Sequence, residues 1–207
     1  MRIRKISASY IFAGSSGFLK NGILTLSEDG CVLKLIDTEG TLNEEANLEH
    51  YNGILCPGFV SEYCHLEFSN ISRQVLRNTS LPGFFEKFIS GRKANIELIH
   101  MSFAASDQEI RKEGIVAVED LNNGTGRMIS NDSLTILEVL FLLQNQYPEI
   151  PLIELLSWAS LNGVRALGVE KCCDNFEEGK KSGVVLIENS DIQNLRLKKE
   201  SRVRVLV

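Results

Sequence analysis

The sequence has no excess of basic residues: 22 lysines and arginines stand against 27 aspartates and glutamates, which gives a net charge of -5. It also lacks the basic face and the interleaved aromatic residues that binders of nucleic acids or anionic membranes use. The basic clusters near Arg2 to Lys5 and Lys198 to Arg204 are short and are typical of solvated strand faces and turns. We therefore expect neither a nucleic-acid partner nor a membrane partner.

Long apolar runs and paired cysteines are also missing. No segment approaches the roughly 18 to 20 apolar residues of a membrane span, and the opening stretch MRIRKISASYIFAG has no sustained apolar segment of signal-peptide type. The five cysteines are odd in number, and the only adjacent pair, Cys172 and Cys173, fits neither a disulfide framework nor a CxxC zinc knuckle. We expect a cytoplasmic protein.

Both ends of the chain are predicted to form β-strands. Near the amino terminus, residues 3–12, 22–26 and 32–36 are strand candidates separated by turn signals rich in Gly, Ser and Asp. Near the carboxyl terminus, residues 183–188 and 202–207 are strand candidates as well. Because chain termini often lie close together, we expect the two ends to share one sheet.

The middle of the chain is predicted to be mainly helical, with occasional strands. A short buried strand is expected at residues 114–118, leading to Asp120. In the last predicted helix, Trp158 and the leucine stripe beside it are expected to lie in the core. Helices followed by strands with short connections are typical of an α/β protein. Spacing and capping signals favour four helices, at Pro82–His100, Ala105–Glu113, Ser133–Gln146 and Leu152–Leu167.

One stretch, GILCPGFVSEYCHLEFS from Gly53 to Ser69, concentrates residues that can carry chemistry. An apolar run with a Pro-Gly corner leads into Tyr63, His65 and Glu67. Alternation along an extended strand places these three side chains on one face. One potential metal ligand, His65, therefore stands between a tyrosine and a glutamate.

Three stretches together resemble the amidohydrolase superfamily, in its branch of cytosine-deaminase-like and chlorohydrolase-like enzymes. The segment LCPGFVSEYCHLEFS is similar to the Pro-Gly-Phe-Val and His-x-His of the family's first barrel strand. Residues 130–168 are similar to the family's segment after barrel strand eight. FEEGKKSGVVLIEN, residues 176–189, is similar to the turn that re-enters the family's sandwich, with Gly183 where many members have Asp.

The resemblance implies an α/β fold with two parts. Residues 1–57 and 169–207 would form a small composite β-sandwich, and residues 58–168 would form an incomplete (β/α)8 TIM-barrel-like layer. A complete barrel takes about 250 residues, so this middle part has room for three or four βα units. The resemblance therefore implies an internally shortened relative.

The implied activity is metal-dependent hydrolysis of a non-peptide C–N bond in a small molecule, of deaminase or amidase type. Such a site holds its ion with nitrogen and oxygen ligands and leaves one position open for water. Tyr63 stands at the family's first His position and His65 at the second, while Gly126 stands at the position of the strand-eight Asp. The candidates left are His65 and Glu67 as ligands of a zinc-like divalent metal, and Asp120 as the catalytic carboxylate.

Two interpretations stay open. In the first, His65, Glu67 and Asp120 form a reduced site that holds a metal or positions a water. In the second, there is no cofactor: His65 makes a side-chain hydrogen bond, Glu67 is solvated, Asp120 caps a loop, and the chain is a non-catalytic remnant that acts through protein association. Missing barrel strands would leave unpaired edges and apolar helix faces, so a homo-oligomer is among the expected partners of this second interpretation.

Overall fold

The computed structural model describes residues 3–42, 45–64, 110–120, 135–164 and 175–207, with the backbone alone at 61–64 and 117–120. The predicted helix at Pro82–His100 lies outside these ranges, as do Gly126, Cys172 and Cys173. Of the predicted helix at Ala105–Glu113, residues 110–113 are described: 110–112 are helical and Glu113 lies in a turn. The chain divides into two compact units, Met1–Glu62 with Arg111–Val118 and Leu134–Val207, and Tyr63–Ile110 with Glu119–Ser133.

The described residues form an α/β protein with a mixed sheet and few helices. Nine strands are present among them: β1 (Arg4–Phe12), β2 (Phe18–Lys20), β3 (Ile23–Leu26), β4 (Val32–Ile36), β5 (Leu48–Cys56), β6 (Phe59–Cys64), β7 (Ile115–Asp120), β8 (Val185–Glu188) and β9 (Arg202–Val205).

Seven of these strands form one sheet in the order β4-β3-β1-β5-β8-β9, with β2 paired to β1. β1 and β5 are parallel, and the other pairs are antiparallel. Ile54 of β5 lies opposite Ile187 of β8. The expectation that strands from both chain ends share a sheet is therefore confirmed, while the domain boundaries at 57/58 and 168/169 stay a prediction.

The core of the sheet is built from alternate residues of neighbouring strands. Ile6 and Ala8 of β1 are fully buried, as are Leu24 of β3 and Leu55 of β5. Phe176, from the segment before β8, joins the same cluster. Burial of one such aliphatic side chain contributes about 1.5–3 kcal/mol, so the chain ends are held together mainly by apolar packing.

A Pro-Gly corner divides the apolar run at 54–60 into two strands. β5 ends at Cys56, and β6 begins at Phe59 and pairs with β7 in a separate two-stranded sheet. Pro57 has no backbone N–H to donate to a ladder, so it stands naturally where the chain leaves the first sheet. β7 extends two residues beyond the predicted 114–118 and ends at Asp120.

Two α-helices follow β7 among the described residues. α1 (Ile136–Gln146) begins at a capping box, in which Thr135 and Glu138 each accept a hydrogen bond from the other's backbone N–H. α2 (Leu152–Ser157) follows Pro151. None of the helices in the described ranges combines the length and the apolar character that crossing a membrane requires.

The predicted continuous helix from Leu152 to Leu167 is wrong in part. After α2 the chain forms a π-helix over Trp158–Asn162, and residues 165–167 lie outside the described ranges. Leu152, Leu155 and Leu156 are buried as expected, but Trp158 is 39% exposed. At about 100° per residue, Trp158 lies about 120° around the helix from Leu152, off the stripe that Leu152, Leu155 and Leu156 form, and its side chain is left outside the core. The π-helix that follows buries Ala159, Ser160 and Leu161.

Candidate functional site

The paired strands β6 and β7 begin side by side. The backbone N–H of Phe59 donates to the carbonyl oxygen of Gly114 at 2.8 Å, immediately before β7 begins at Ile115. Two paired strands that start together run in the same direction, so β6 and β7 are parallel. Their last residues, Cys64 and Asp120, therefore stand at the same end of the pair.

Glycines allow three chain segments to meet where this strand pair begins. The N–H of Gly58 donates to the carbonyl oxygen of Ser182 at 2.9 Å. A Cβ on Gly58 would lie 2.2 Å from Cγ1 of Val116. Gly183 has a φ of +64°, and a Cβ on it would lie 2.6 Å from the same methyl group. A glycine at position 183 is therefore required both by the left-handed backbone and by the side chain above it.

The helical segment after the π-helix lies directly on β6. A Cβ on Gly163 would be 2.9 Å from both Cβ and Cγ1 of Val60, and Val60 is buried. Only a residue without a side chain allows this approach. The first half of β6 is consequently held between this helix and β7.

Of the three predicted site residues, Asp120 is the one whose backbone the structure describes. It is the last residue of β7. His65 follows directly after the last residue of β6, and both His65 and Glu67 lie outside the described residues. The structure thus brings the carboxyl ends of β6 and β7 together, and the chemical roles of Asp120, His65 and Glu67 stay predictions.

Within the described ranges no three or more His, Cys, Asp or Glu side chains form a group that could hold a metal ion. His50, on β5, instead makes a structural contact, with its Nδ1 3.2 Å from Ser7 Oγ. A metal would therefore depend on residues outside the described part of the chain.

A charged network that the sequence did not predict ties β1 to β5. Nε and a terminal nitrogen of Arg4 each donate to one carboxylate oxygen of Glu49 at 2.8 Å, and a third donor reaches the carbonyl oxygen of Leu206 at 2.7 Å. The hydroxyl of Tyr51 also donates to Glu49, at 2.7 Å, and this hydrogen bond raises the pKa of Tyr51. Arg204 lies over the ring of Tyr51, 5.5 Å from its centre. Each of these charges has a partner, so the network is structural.

Of the two cysteines whose side chains the structure describes, Cys31 and Cys56, the second is fully buried. Cys56 ends β5, and its Sγ donates to the carbonyl oxygen of Val185 at 3.7 Å. Burial raises the pKa of this thiol, because the thiolate would be removed from water. Cys56 is therefore chemically inert in the folded protein.

Two clefts can be described from the residues that line them. One, of about 920 Å³, is lined by Arg4, Glu49 and Leu206 among others. Another, of about 420 Å³, is lined mainly by polar residues between Asn52 and Lys198. Neither is lined by residues of β6 or β7.

Solved structures include several that resemble this chain. The guanine deaminase of E. coli is 11% identical, with 91% of this chain and 89% of that chain covered at a TM-score of 0.50. A. niger ochratoxinase is 16% identical, with 64% and 31% covered at a TM-score of 0.42. An amidohydrolase from Brucella melitensis is 10% identical, with 56% and 26% covered at a TM-score of 0.44.

These comparisons bear on the fold alone. The likeness to guanine deaminase shows a shared fold, while the other two fall below a TM-score of 0.5 and add no argument. The chain spans 31% of the ochratoxinase and 26% of the Brucella amidohydrolase. No model of a protein family matches the chain, and no curated protein matches it. Activity, substrate and partners are therefore matters for proposal.

Proposed function

We propose that this chain is an amidohydrolase-like hydrolase that acts on a non-peptide C–N bond of a small molecule. The observation that carries the proposal is the parallel pair β6–β7, whose carboxyl ends lead to His65 and to Asp120. In barrels and open sheets of parallel strands, ligands bind at the carboxyl ends of the strands. The fold likeness to a guanine deaminase supports the deaminase class of reaction.

Each candidate residue has a distinct role in this proposal. Asp120 takes a proton from the attacking water and returns it to the nitrogen of the leaving group, as a general base and then a general acid. His65 and Glu67 are the ligands for a zinc-like divalent ion. Such an ion, when bound, lowers the pKa of a water ligand to about 7. Because the described residues hold no such ligand set, any further ligands would come from outside them.

The proposal extends to the organisation of the chain. Residues 1–57 and 169–207 form the composite β-sandwich, and residues 58–168 form an internally shortened barrel layer. The pairing of β5 with β8 and the start of β6 directly after the Pro-Gly corner support this division. A cytoplasmic location, and the absence of nucleic-acid and membrane partners, belong to the proposal on the sequence grounds given above.

Metal content separates this proposal from its alternative. Purified wild-type protein, His65→Ala and His50→Ala would be analysed for zinc, manganese and iron after dialysis. His50 is a matched control because it is a sheet histidine whose contact is Ser7. We expect stoichiometric metal in wild type and His50→Ala and its loss in His65→Ala. Wild-type protein without metal, even after incubation with zinc, would contradict the proposed site.

The second candidate is a non-catalytic protein that acts through association, most simply with a second copy. Two features favour it: Leu142, Tyr147 and Trp158 are exposed by 50%, 42% and 39%, and β4 and β9 end the described strand order of the large sheet. Exposed apolar side chains and the outer strands of a sheet are surfaces that other chains can cover. Sedimentation velocity over a hundredfold range of concentration tests it: a concentration-dependent dimer would support association, and a monomer throughout would count against it.

A further inference from the structure

Val116 stands second in β7 and lies against two glycines from different parts of the chain. A Cβ built on Gly58, just before β6, would lie 2.2 and 2.6 Å from its two methyl groups and 2.9 Å from its own Cβ. A Cβ built on Gly183, just before β8, would lie 2.6 Å from Cγ1. Real Cβ atoms do not approach other atoms this closely. Val116 thus fills the space left by two absent side chains.

This contact does little to bury apolar surface. Val116 remains 41% exposed, so the hydrophobic gain is small compared with that of a core valine. The contact is nevertheless stiff, because a β-branched side chain has few rotamers. Rotation of the Val116 side chain would not remove the clash with a side chain at position 58, because both methyl groups and the Cβ of Val116 take part in it. Steric placement, rather than burial, is what this side chain provides.

The backbone on either side of the contact is also fixed. Gly58 donates to Ser182 at 2.9 Å, and Phe59 donates to Gly114 at 2.8 Å. These two bonds join the starts of β6, β7 and the segment before β8. The register of β7 against β6 is set here, and in a paired ladder the register at the start determines the register at the end.

We infer that Val116, held between Gly58 and Gly183, is a positioning residue. It fixes β7 against β6 and so fixes where Asp120, the last residue of β7, stands relative to Cys64, the last residue of β6. This inference rests on the proposed function for its chemical meaning, since that function places the site at these strand ends.

Variants that change the sizes of the side chains at positions 183 and 116 test this inference. Gly183→Ala adds a methyl group where Val116 already lies, and Val116→Ala removes both γ-methyl groups of that side chain. The combined variant adds a methyl group on one side of the contact after space has been made for it on the other. Gly179→Ala is the matched control, because Gly179 also has a positive φ, +90°, but nothing lies within 4 Å of the added Cβ. Gly58→Ala adds the same clash without a left-handed backbone at that position.

Amide hydrogen exchange of the full chain is the main measurement. Relative to wild type, we expect Gly183→Ala, Gly58→Ala and Val116→Ala to exchange at least about fivefold faster over 61–64 and 117–120, with β1 and β3 unchanged. Gly183→Ala/Val116→Ala should return toward the wild-type pattern, and Gly179→Ala should leave these residues unchanged. The inference would be overturned if exchange became uniformly faster throughout the chain. It would also be overturned if the double variant exchanged as fast over 61–64 and 117–120 as Gly183→Ala alone.

Catalysis supplies a second readout that separates the two claims. In a wild type that releases ammonia from a substrate, Gly183→Ala should lower kcat with KM nearly unchanged, and the double variant should recover kcat. A rise in KM with kcat unchanged would overturn the positioning role. A wild type without ammonia release would count against the proposed function only, because the exchange pattern does not depend on activity.

Discussion

Gln144, on α1, binds both backbone groups of Leu197: its Nε2 donates to the Leu197 carbonyl oxygen at 3.0 Å, and its Oε1 accepts from the Leu197 N–H at 2.8 Å. Both residues are 3% exposed. Arg196 donates to the carbonyl oxygen of Gln144 at 3.2 Å, which gives a carbonyl of α1's last turn a partner. One helix is thereby attached to the segment between β8 and β9.

Replacement of Gln144 by leucine should destabilise the protein strongly. The variant leaves a buried N–H and a buried C=O of Leu197 without partners, and each such group costs about 1–3 kcal/mol. We expect the free energy of unfolding in urea to fall by about 2–5 kcal/mol. Gln146→Leu, on the exposed side of the same helix, is the control and should change it little. Equal effects of the two variants would show that the Leu197 contact contributes nothing.

Loss of the Thr135 hydroxyl should weaken the start of α1. Thr135 Oγ1 accepts from the Glu138 N–H at 3.2 Å, and the Glu138 carboxylate accepts from the Thr135 N–H at 2.7 Å. Thr135→Ala removes the first bond and should lower the free energy of unfolding by about 1 kcal/mol. Thr135→Ser keeps the hydroxyl and should retain most of the stability. If the serine variant is as unstable as the alanine variant, the cap is not the cause.

Asp29 should titrate at unusually low pH. Lys181 Nζ lies 2.6 Å from its carboxylate, and this hydrogen bond, with a second from Ser27, lowers the pKa of Asp29 to about 2. A lowered folded-state pKa means that the contact stabilises the protein above about pH 4 and that this contribution is lost as the pH falls towards 2. Carboxyl carbon NMR should report this pKa directly.

Lys181→Met is the matching variant for that titration. It should move the pKa of Asp29 upward, towards its ordinary value. Because both side chains are well exposed, 1 M salt should move it in the same direction in wild-type protein. A pKa unaffected by both changes would show that Lys181 is not responsible.

Cys56 should resist alkylation until the protein unfolds. Its thiol is buried at the end of β5 and its pKa is raised by that burial. Peptide mass spectrometry after iodoacetamide treatment at pH 8 should find Cys56 unmodified in native protein and modified in 8 M urea. Cys31, which is partly exposed, should be modified in the native protein. Rapid native modification of Cys56 would contradict its place in the core.

Sequence patterns predicted the simple strands well, because their signals are local. The segment 202–207 alternates basic and aliphatic residues, and 32–36 is a mainly aliphatic run between two turn signals. The structure has strands at Val32–Ile36 and Arg202–Val205. The first half of β5 and all of β2 were missed. The half of β5 from Leu48 to Asn52 is only partly buried, so its polar residues resemble those of a loop, and it becomes a strand through its pairing with β1.

The packing of the candidate site could not be predicted in the same way. The contact of Val116 with Gly58 and Gly183 joins residues far apart in the sequence, and no short pattern indicates it. Trp158 was wrongly placed in the core because it was grouped with the neighbouring leucines, whereas its place in the helical turn lies off the stripe that Leu152, Leu155 and Leu156 form. Asp120, by contrast, could be placed at a strand end from the apolar run before it.

The most direct test of the proposed function is ammonia release from primary amides and from amino-heterocycles such as guanine and cytosine, with zinc present. We expect wild type to release ammonia from at least one of them. Asp120→Asn should be slower by about 100-fold or more, because general acid–base catalysis contributes at least that much. Asp37→Asn, which changes an exposed turn residue, should match wild type. No release from any compound, or an Asp120→Asn variant as active as wild type, would contradict the proposal.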